Sequence, residues 1–217
     1  SYADILRNVP GVNITQVSAR DVNITPRRST TTLSNKQLGV LAGRSLYQDF
    51  FGFVMWDFMP VNLHELKRIE VIRGPASAIW GANAMSGVVN VITKTPREVL
   101  GTSGALGGGT FDTSSGAADD DSGVLWYVNG THAGVINDRA SFKVSGGYYT
   151  QDAFARPTGT IPNGGTTQYP AYENQGTEQP KVDGRLDYSL DSGAYMTFSG
   201  GYSGMEGIMH SGIGPFD

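Results

Sequence analysis

Hydrophobic and polar positions alternate through the second half of the chain. Between residues 139 and 149, and again between 181 and 190, apolar side chains occupy every second position and charged or hydroxyl side chains occupy the positions between them. Residues 194–203, 124–133 and 101–111 show the same alternation, the last two less cleanly. A period of two residues is typical of a β-strand with one apolar and one polar face. The pattern predicts five strands, each about ten residues long.

The connections between these predicted strands alternate in length. Residues 134–138 and 191–193 form short turns, whereas residues 112–122 and 151–180 form long, polar, Gly- and Pro-rich loops. Short turns at one end and long loops at the other are typical of β-barrels in the bacterial outer membrane. A soluble β-meander with one solvated face is the alternative interpretation.

The first half of the chain has a different pattern, centred on residues 67–94, KRIEVIRGPASAIWGANAMSGVVNVITK. Ile69 and Val71 alternate with their neighbours at the period of a strand. Gly74 and Pro75 follow at once and end that strand. The pattern predicts a strand that stops at a tight turn.

The same segment then predicts a short helix and a buried strand. Pro75 suits the start of a helical turn over residues 76–80, because its missing N–H needs no partner there. Gly81 ends the turn. Residues 88–92 are almost continuously apolar, which is expected of a strand covered on both faces.

Upstream of residue 67 the elements are shorter. Apolar residues on one helical face predict a helix before Pro10, and strands are predicted at residues 12–17 and 22–25. A helical turn is predicted at residues 62–66. The strongly aromatic segment before it has no clear period.

Composition and motifs favour binding over chemistry. The 217 residues carry a net charge of −4, which argues against a nucleic-acid partner. Cysteine is absent, so disulfides, cysteine zinc sites and thiol nucleophiles are excluded. The three histidines are scattered, and neither HExxH nor GxSxG occurs. We therefore expect no enzyme activity, no cofactor and no metal site.

The run from Ile69 to Lys94 resembles the plug (cork) domain of TonB-dependent outer-membrane receptors, in which IEVIRGPASALYGANAMGGVINIITK is a hallmark. The string DILRNVPGVNI near the N-terminus resembles the first helix and strand of that plug. The resemblance implies an α+β plug domain at residues 1–97, truncated at its N-terminus. It implies that residues 98–217 are the first antiparallel strands of a transmembrane β-barrel, about five of about 22.

The resemblance also implies a function and partners. Members of the family import a scarce solute, such as a siderophore, cobalamin or a glycan, through the plugged barrel. The implied partners are TonB, through a TonB box upstream of this chain, a small-molecule ligand such as a metal chelate, and outer-membrane lipid. A non-transporting surface receptor or adhesin is the first alternative, and a secreted β-rich glycosidase with two catalytic carboxylates is the second.

Polar residues are expected to join the plug to the barrel wall. By resemblance, Glu70 and Arg73 lie in the motif that braces the plug, although they could instead satisfy local backbone groups. On the wall, the charged face of the predicted strands supplies the candidates. They are Arg139, Lys143, Asp183, Arg185 and Asp187.

The ligand is expected to contact the outward loops of the plug. Arginine binds carboxylate or phosphate groups, and aromatic side chains provide rigid contact area. Each residue taken singly is more often structural, so we expect two or three of the set to bind. The candidates are Arg27, Arg28, Tyr47, Phe50, Phe51, Phe53 and Trp56.

Overall fold

The structure is a computed structural model. It describes residues 5–7, 9–10, 12–16, 22–26, 37–48, 53–54, 56, 59–85, 87–115, 118–153, 159–161, 165–169, 176–207, 209–211 and 214–216.

Among its described residues, the N-terminal region contains eight short strands and a few helical turns. A four-residue α-helix spans Ser77–Trp80, and 3-10 turns lie at Leu63–Glu65, Ala82–Ala84 and Pro96–Glu98. The strands are β1 (Val12–Gln16), β2 (Val22–Pro26), β3 (Gln37–Leu41), β4 (Arg44–Ser45), β5 (Tyr47–Gln48), β6 (Phe53–Val54), β7 (Leu66–Arg73) and β8 (Gly87–Thr93).

Strand β8 is at the centre of a four-stranded sheet with the order β4-β3-β8-β7. It pairs in parallel with β3 and antiparallel with β7. Val88 and Val89 are 0% exposed and Val91 is 1% exposed. The apolar run of the sequence is therefore a central strand with both faces covered, as predicted.

The apolar core lies on both sides of this sheet. On one side, Leu6, Ile24, Trp56 and Val61 pack with Val89. The other side is a smaller cluster that includes Leu38, Val40, Ala76, Ala84 and Val88. The predicted strand–turn–helix–strand unit thus supplies most of the framework on which the remaining segments pack.

The second half of the chain forms a five-stranded antiparallel meander with the order β13-β12-β11-β10-β9, which we call the wall sheet. Its neighbouring strands are consecutive in sequence and antiparallel, which is the commonest order of strands in such sheets. The strands are β9 (Gly101–Ser115), β10 (Ala118–Val135), β11 (Ala140–Gln151), β12 (Thr177–Ser189) and β13 (Tyr195–Ser203). Two short strands follow, β14 (Met209–Ser211) and β15 (Gly214–Phe216).

The two faces of the wall sheet differ as the alternation predicts. Phe198 and Val144 are 56% and 51% exposed on the outer face. On the inner face Ser141, Lys143 and Ser145 are at most 3% exposed. The N-terminal region covers the middle of the inner face through the contacts described below, whereas residues 195–202 of β13 are exposed on both faces.

The predicted loop at residues 112–122 is wrong. Strands β9 and β10 continue through most of it, with Asp112 paired to Ser122 and Thr113 paired to Asp121. The polar side chains there do not prevent pairing, because the ladder is formed by backbone groups. A register shift between Ala118 and Asp121 accommodates the irregular end of the hairpin.

Within the described ranges, no helix has the length and apolar character needed to cross a lipid bilayer.

Candidate functional site

Residues 60–65, which we call the strap, run across the inner face of the wall sheet. Its first residue, Pro60, packs over β13: a Cβ placed on Gly201 would lie 2.9 Å from Pro60 Cγ. The next carbonyl, of Val61, accepts a hydrogen bond from Lys181 Nζ of β12 at 3.2 Å. A glycine is needed at position 201 because the chain approaches the wall so closely there.

Asn62 joins the strap to the next two strands through its side-chain amide. Nδ2 donates to Gly146 O of β11 at 3.3 Å and to Gly130 O of β10 at 3.1 Å, and it lies 3.3 Å from the Thr131 hydroxyl. Asn62 is 0% exposed. Because two of its acceptors are backbone carbonyls, this contact depends on the position of the wall strands more than on their side chains.

His64 extends the strap to β9. Its Nε2 lies 2.9 Å from Thr131 Oγ1 and 3.1 Å from Ser103 Oγ. The Thr131 hydroxyl donates its one hydrogen to Glu65 Oε1 at 2.9 Å, so it accepts from His64. Six consecutive residues therefore contact all five strands of the wall sheet.

A buried ion pair closes the strap. Lys143 Nζ of β11 lies 2.7 Å from Glu65 Oε2, and the two side chains are 1% and 0% exposed. Lys143 also donates to Lys94 O at 3.3 Å. Removing one member of a buried pair costs about 3–5 kcal/mol, because the other charge stays buried without its partner.

The pKa of Glu65 reflects this environment. Burial alone would raise the pKa of its carboxyl, but the hydrogen bond and positive charge of Lys143, with the hydroxyls of Ser145 and Thr131, outweigh burial and hold the pKa below its ordinary value. Glu65 is therefore ionised at neutral pH despite its burial, and the contact with Lys143 is an ion pair there.

A second ion pair joins the four-stranded sheet to the wall. Arg44 of β4 contacts Asp183 of β12 at 2.8 Å, with side chains 29% and 4% exposed. Arg44 follows a tight turn in which Ala42 and Gly43 have φ of 47° and 84°. The arginine of this pair is in partial contact with solvent, whereas both members of the Lys143–Glu65 pair are enclosed.

The junction between the two sheets is also fixed by polar contacts. Lys94 Nζ donates to His64 O at 3.0 Å, and Arg97 donates to the carbonyls of Asn137 and Asp138 at 3.2 and 2.7 Å. Near the same point Glu98 pairs with Lys67. The predicted boundary at residue 97 lies between the end of β8 and the start of β9.

The two predicted bracing residues of the N-terminal region have their described bonds inside that region. Glu70 pairs with Arg68 at 2.6 Å and accepts from Asn90 at 3.1 Å. Arg73 donates to Pro10 O at 2.9 Å. These are the local contacts that the alternative interpretation describes, so a bracing role for Glu70 and Arg73 stays a prediction.

The five predicted wall residues divide into two groups. Lys143 and Asp183 contact the N-terminal region directly, as described above. The other three are paired within the wall sheet: Arg185 lies 2.8 Å from Asp187, and Arg139 pairs with Asp191 at a turn. Arg185 and Asp187 bind each other along β12, whereas Arg139 is 51% exposed.

The predicted ligand-binding residues are only partly within the structure. Arg27, Arg28, Phe50 and Phe51 lie outside the described residues. The remaining three belong to described segments. Tyr47 and Phe53 lie on the paired strands β5 and β6, where the backbone alone is described, and Trp56 is 4% exposed in the apolar core, where it packs beside Gly39.

Sequence reasoning missed Glu65, Asn62 and Arg44. The N-x-x-E spacing of Asn62 and Glu65 indicated a helix start, and the structure has that local capping contact at 3.4 Å. The partners of all three residues lie on strands much later in the chain. The available signal was an acidic residue inside the predicted helical turn, together with a lysine on the polar face of a predicted strand.

Comparisons with known proteins agree with this architecture. The family model described as TonB-dependent Receptor Plug Domain matches residues 1–88. The chain is 30% identical to the vitamin B12 transporter BtuB of Vibrio vulnificus (strain CMCP6), over 71% of this chain and 26% of that protein. It is 28% identical to the ferric enterobactin receptor PirA of Pseudomonas aeruginosa, over 97% of this chain and 29% of that protein.

Solved structures show the same fold. The siderophore receptor PirA from Acinetobacter baumannii matches with a TM-score of 0.61 at 24% identity, over 93% of this chain and 28% of that chain. The ferric enterobactin receptor PfeA from Pseudomonas aeruginosa matches with a TM-score of 0.62 at 24% identity, over 93% and 30%. The chain thus spans less than a third of the length of these relatives.

The predicted fold class is confirmed: the N-terminal region is a plug, and the wall sheet corresponds to antiparallel strands of the relatives' barrels. The relatives are outer-membrane proteins, which assigns this chain to the outer membrane of Gram-negative bacteria. The chain carries the TonB-dependent receptor plug domain at residues 1–88, and over nearly its whole length it is similar to TonB-dependent outer-membrane receptors.

Proposed function

We propose that the full-length protein is a TonB-dependent transporter that imports a scarce solute through its plugged barrel. The observation that carries this proposal is the polar interface between plug and wall. Away from the strap, Arg44 pairs with Asp183 at 2.8 Å, and Arg97 donates to the carbonyls of residues 137 and 138. A polar interface can exchange its partners for water as the plug rearranges, which a permanently apolar interface cannot do.

The relatives suggest two classes of solute. One is named a vitamin B12 transporter and the other a ferric enterobactin receptor. Both ligand classes are metal chelates, and an iron chelate with carboxylate or catecholate groups would suit the arginines predicted to bind. Arg27, Arg28, Tyr47, Phe50, Phe51 and Phe53 are the proposed ligand contacts, with TonB as the partner that supplies energy.

The proposal is tested by uptake into cells. The full-length gene is expressed in a Gram-negative host that lacks its own cobalamin and siderophore receptors, and uptake of radiolabelled cobalamin and a panel of ferric siderophores is measured. We expect saturable uptake of at least one solute, abolished in a matched host without TonB. Binding of a solute with no uptake in either host would favour the non-transporting receptor.

A rival enzyme function predicts a different result. A secreted glycosidase would release reducing sugar from oligosaccharides in proportion to the protein added. The transporter account predicts no such release by the purified full-length protein, and it predicts that any glycan which binds is recovered intact. Sustained turnover of a glycan would contradict the proposal.

A further inference from the structure

We infer that the strap is a fixed anchor: residues 60–65 stay bound to the wall sheet during transport, and the plug rearranges in place around them. The inference rests on the proposed transport function. It assigns Asn62, His64 and Glu65 as positioning residues that hold the plug while solute passes.

The strap crosses the five strands of the wall sheet in order. Contacts pass in chain order from β13 at Pro60 to β12 at Val61, then to β11 and β10 at Asn62, and to β9 at His64. One short segment thereby registers the plug against five strands at once. Sliding the strap by a single residue would break every one of these contacts together.

The polar side chains that join the strap to the wall sheet are buried. Asn62, Glu65 and Lys143 are each at most 1% exposed, and Glu65 and Lys143 carry opposite charges. If the strap left the wall, the ammonium of Lys143 and the carboxylate of Glu65 would have to separate, and each would lose the partner that compensates its buried charge. The pair of Arg44 with Asp183 is less enclosed than this one, because the arginine side chain is 29% exposed although the aspartate is 4% exposed.

The strap is also bound to the segment of chain that connects the plug to the wall sheet. The strap leads directly into β7, which pairs with β8, and β8 ends at the residues that enter the wall sheet. Lys94 Nζ binds His64 O, and Lys143 binds Lys94 O as well as Glu65. The strap is therefore tied to the covalent connection between plug and wall, which cannot leave the barrel.

The N-terminal hairpin differs from the strap in its pairing. Strands β1 and β2 form a separate two-stranded sheet and are not hydrogen-bonded to the four-stranded sheet. Ile24 of β2 packs into the core that also holds Val61. Apolar packing can be undone without leaving a charge unpaired, so the hairpin is the part expected to move first.

The test uses the full-length protein, whose described part contains no cysteine to interfere. His64 and Ser103 are replaced together by cysteine, since their side chains face each other across the interface. A reducible bis-methanethiosulfonate reagent then joins strap to wall. The control is the pair Leu186→Cys and Phe198→Cys, which are register partners on the outer face of the wall.

A fixed anchor predicts that crosslinked H64C/S103C cells retain solute uptake within about two-fold of the same cells after reduction. Loss of uptake that the reductant restores, without a similar loss in the Leu186/Phe198 control, would overturn the inference. If wild-type cells take up no solute, the proposed transport function fails; if only the reduced H64C/S103C cells take up none, the anchor is decided by a second measurement.

The second measurement needs no transport. Ile24→Cys and Val61→Cys, which replace residues 2% and 1% exposed in one core, are labelled separately with a thiol reagent in outer-membrane vesicles at increasing urea. The anchor predicts that position 24 is labelled at lower urea than position 61. Labelling of position 61 first, or of both together, would overturn it.

Discussion

Lys143 of the wall sheet and Glu65 of the strap form an ion pair at 2.7 Å with both side chains almost fully buried. The two residues belong to the two parts of the molecule, so the pair reports directly on how the plug is held. Its burial separates it from the exposed pairs of this chain, such as Arg139 with Asp191.

Replacing Lys143 with Met is expected to destabilise the seated plug by about 3–5 kcal/mol, because Glu65 would stay buried without a cation. The double variant K143M/E65L is expected to recover most of that loss. The measurement is urea unfolding of the full-length protein in detergent, followed by the fluorescence of buried Trp56. The matched control R139M, in an exposed pair, should cost about 1 kcal/mol or less. Equal effects of K143M and R139M would contradict this assignment.

The stability of the plug is expected to depend on pH through Glu65. The folded state lowers the pKa of this carboxyl below the ordinary value of 4.5. The stabilisation is therefore fully present above the unfolded-state pKa and is lost as pH falls through the lowered folded-state pKa. Urea midpoints of the wild type should fall below about pH 4.5 more steeply than those of E65Q. Parallel curves for the two proteins would show that Glu65 is not the group responsible.

Gly201→Ala is expected to disturb the seating of the strap. A Cβ at this position would lie 2.9 Å from Pro60 Cγ and 2.5 Å from Asp183 Oδ1. Overpacking of this kind typically costs about 1–3 kcal/mol. A Cβ on Gly200, the preceding residue, would have no atom within 4 Å. G200A is therefore a matched control, for which we expect a small effect. The comparison is made by urea unfolding, and a G200A effect as large as that of G201A would argue against close packing at Pro60.

The double substitution of Arg27 and Arg28 by Ala is expected to weaken solute binding about ten-fold or more, because a charge-assisted contact to an anionic ligand is lost. The unfolding midpoint of the barrel should not change. Equilibrium binding of the solute identified by uptake provides the measurement, with R139A at the short-turn end as the control. Unchanged affinity in the double variant removes both arginines from the binding site.

The sequence was most informative where one period held over a whole element. The apolar run at residues 88–92 identified β8, and the alternation at residues 139–149 identified β11 and its faces, because each pattern follows from local geometry. The extension of β9 and β10 through residues 112–122 was not predicted, since backbone pairing there tolerates polar side chains. A hairpin end of this kind has no apolar face to mark it in the sequence.

The site was less predictable than the fold, for a physical reason. Lys143 and Asp183 could be assigned to the polar face of the wall, but their partners Glu65 and Arg44 depend on tertiary placement between distant segments. Glu70 stands in the most recognisable motif of the chain, yet its described partners are Arg68 and Asn90 beside it. A distinctive motif therefore indicated the family better than it indicated the interface.

The transporter proposal depends on a wall sheet with a lipid-facing outer side and a polar inner side that holds the plug. Spin labels placed one at a time along β13 of the full-length protein in bilayers test it most directly. Oxygen accessibility should alternate along the strand, high at positions 196, 198 and 202, which are exposed on the outer face, and low at positions 197, 199 and 201. A strand with no alternation, or with greater access of a water-soluble nickel reagent at position 198 than at position 199, would contradict the receptor architecture.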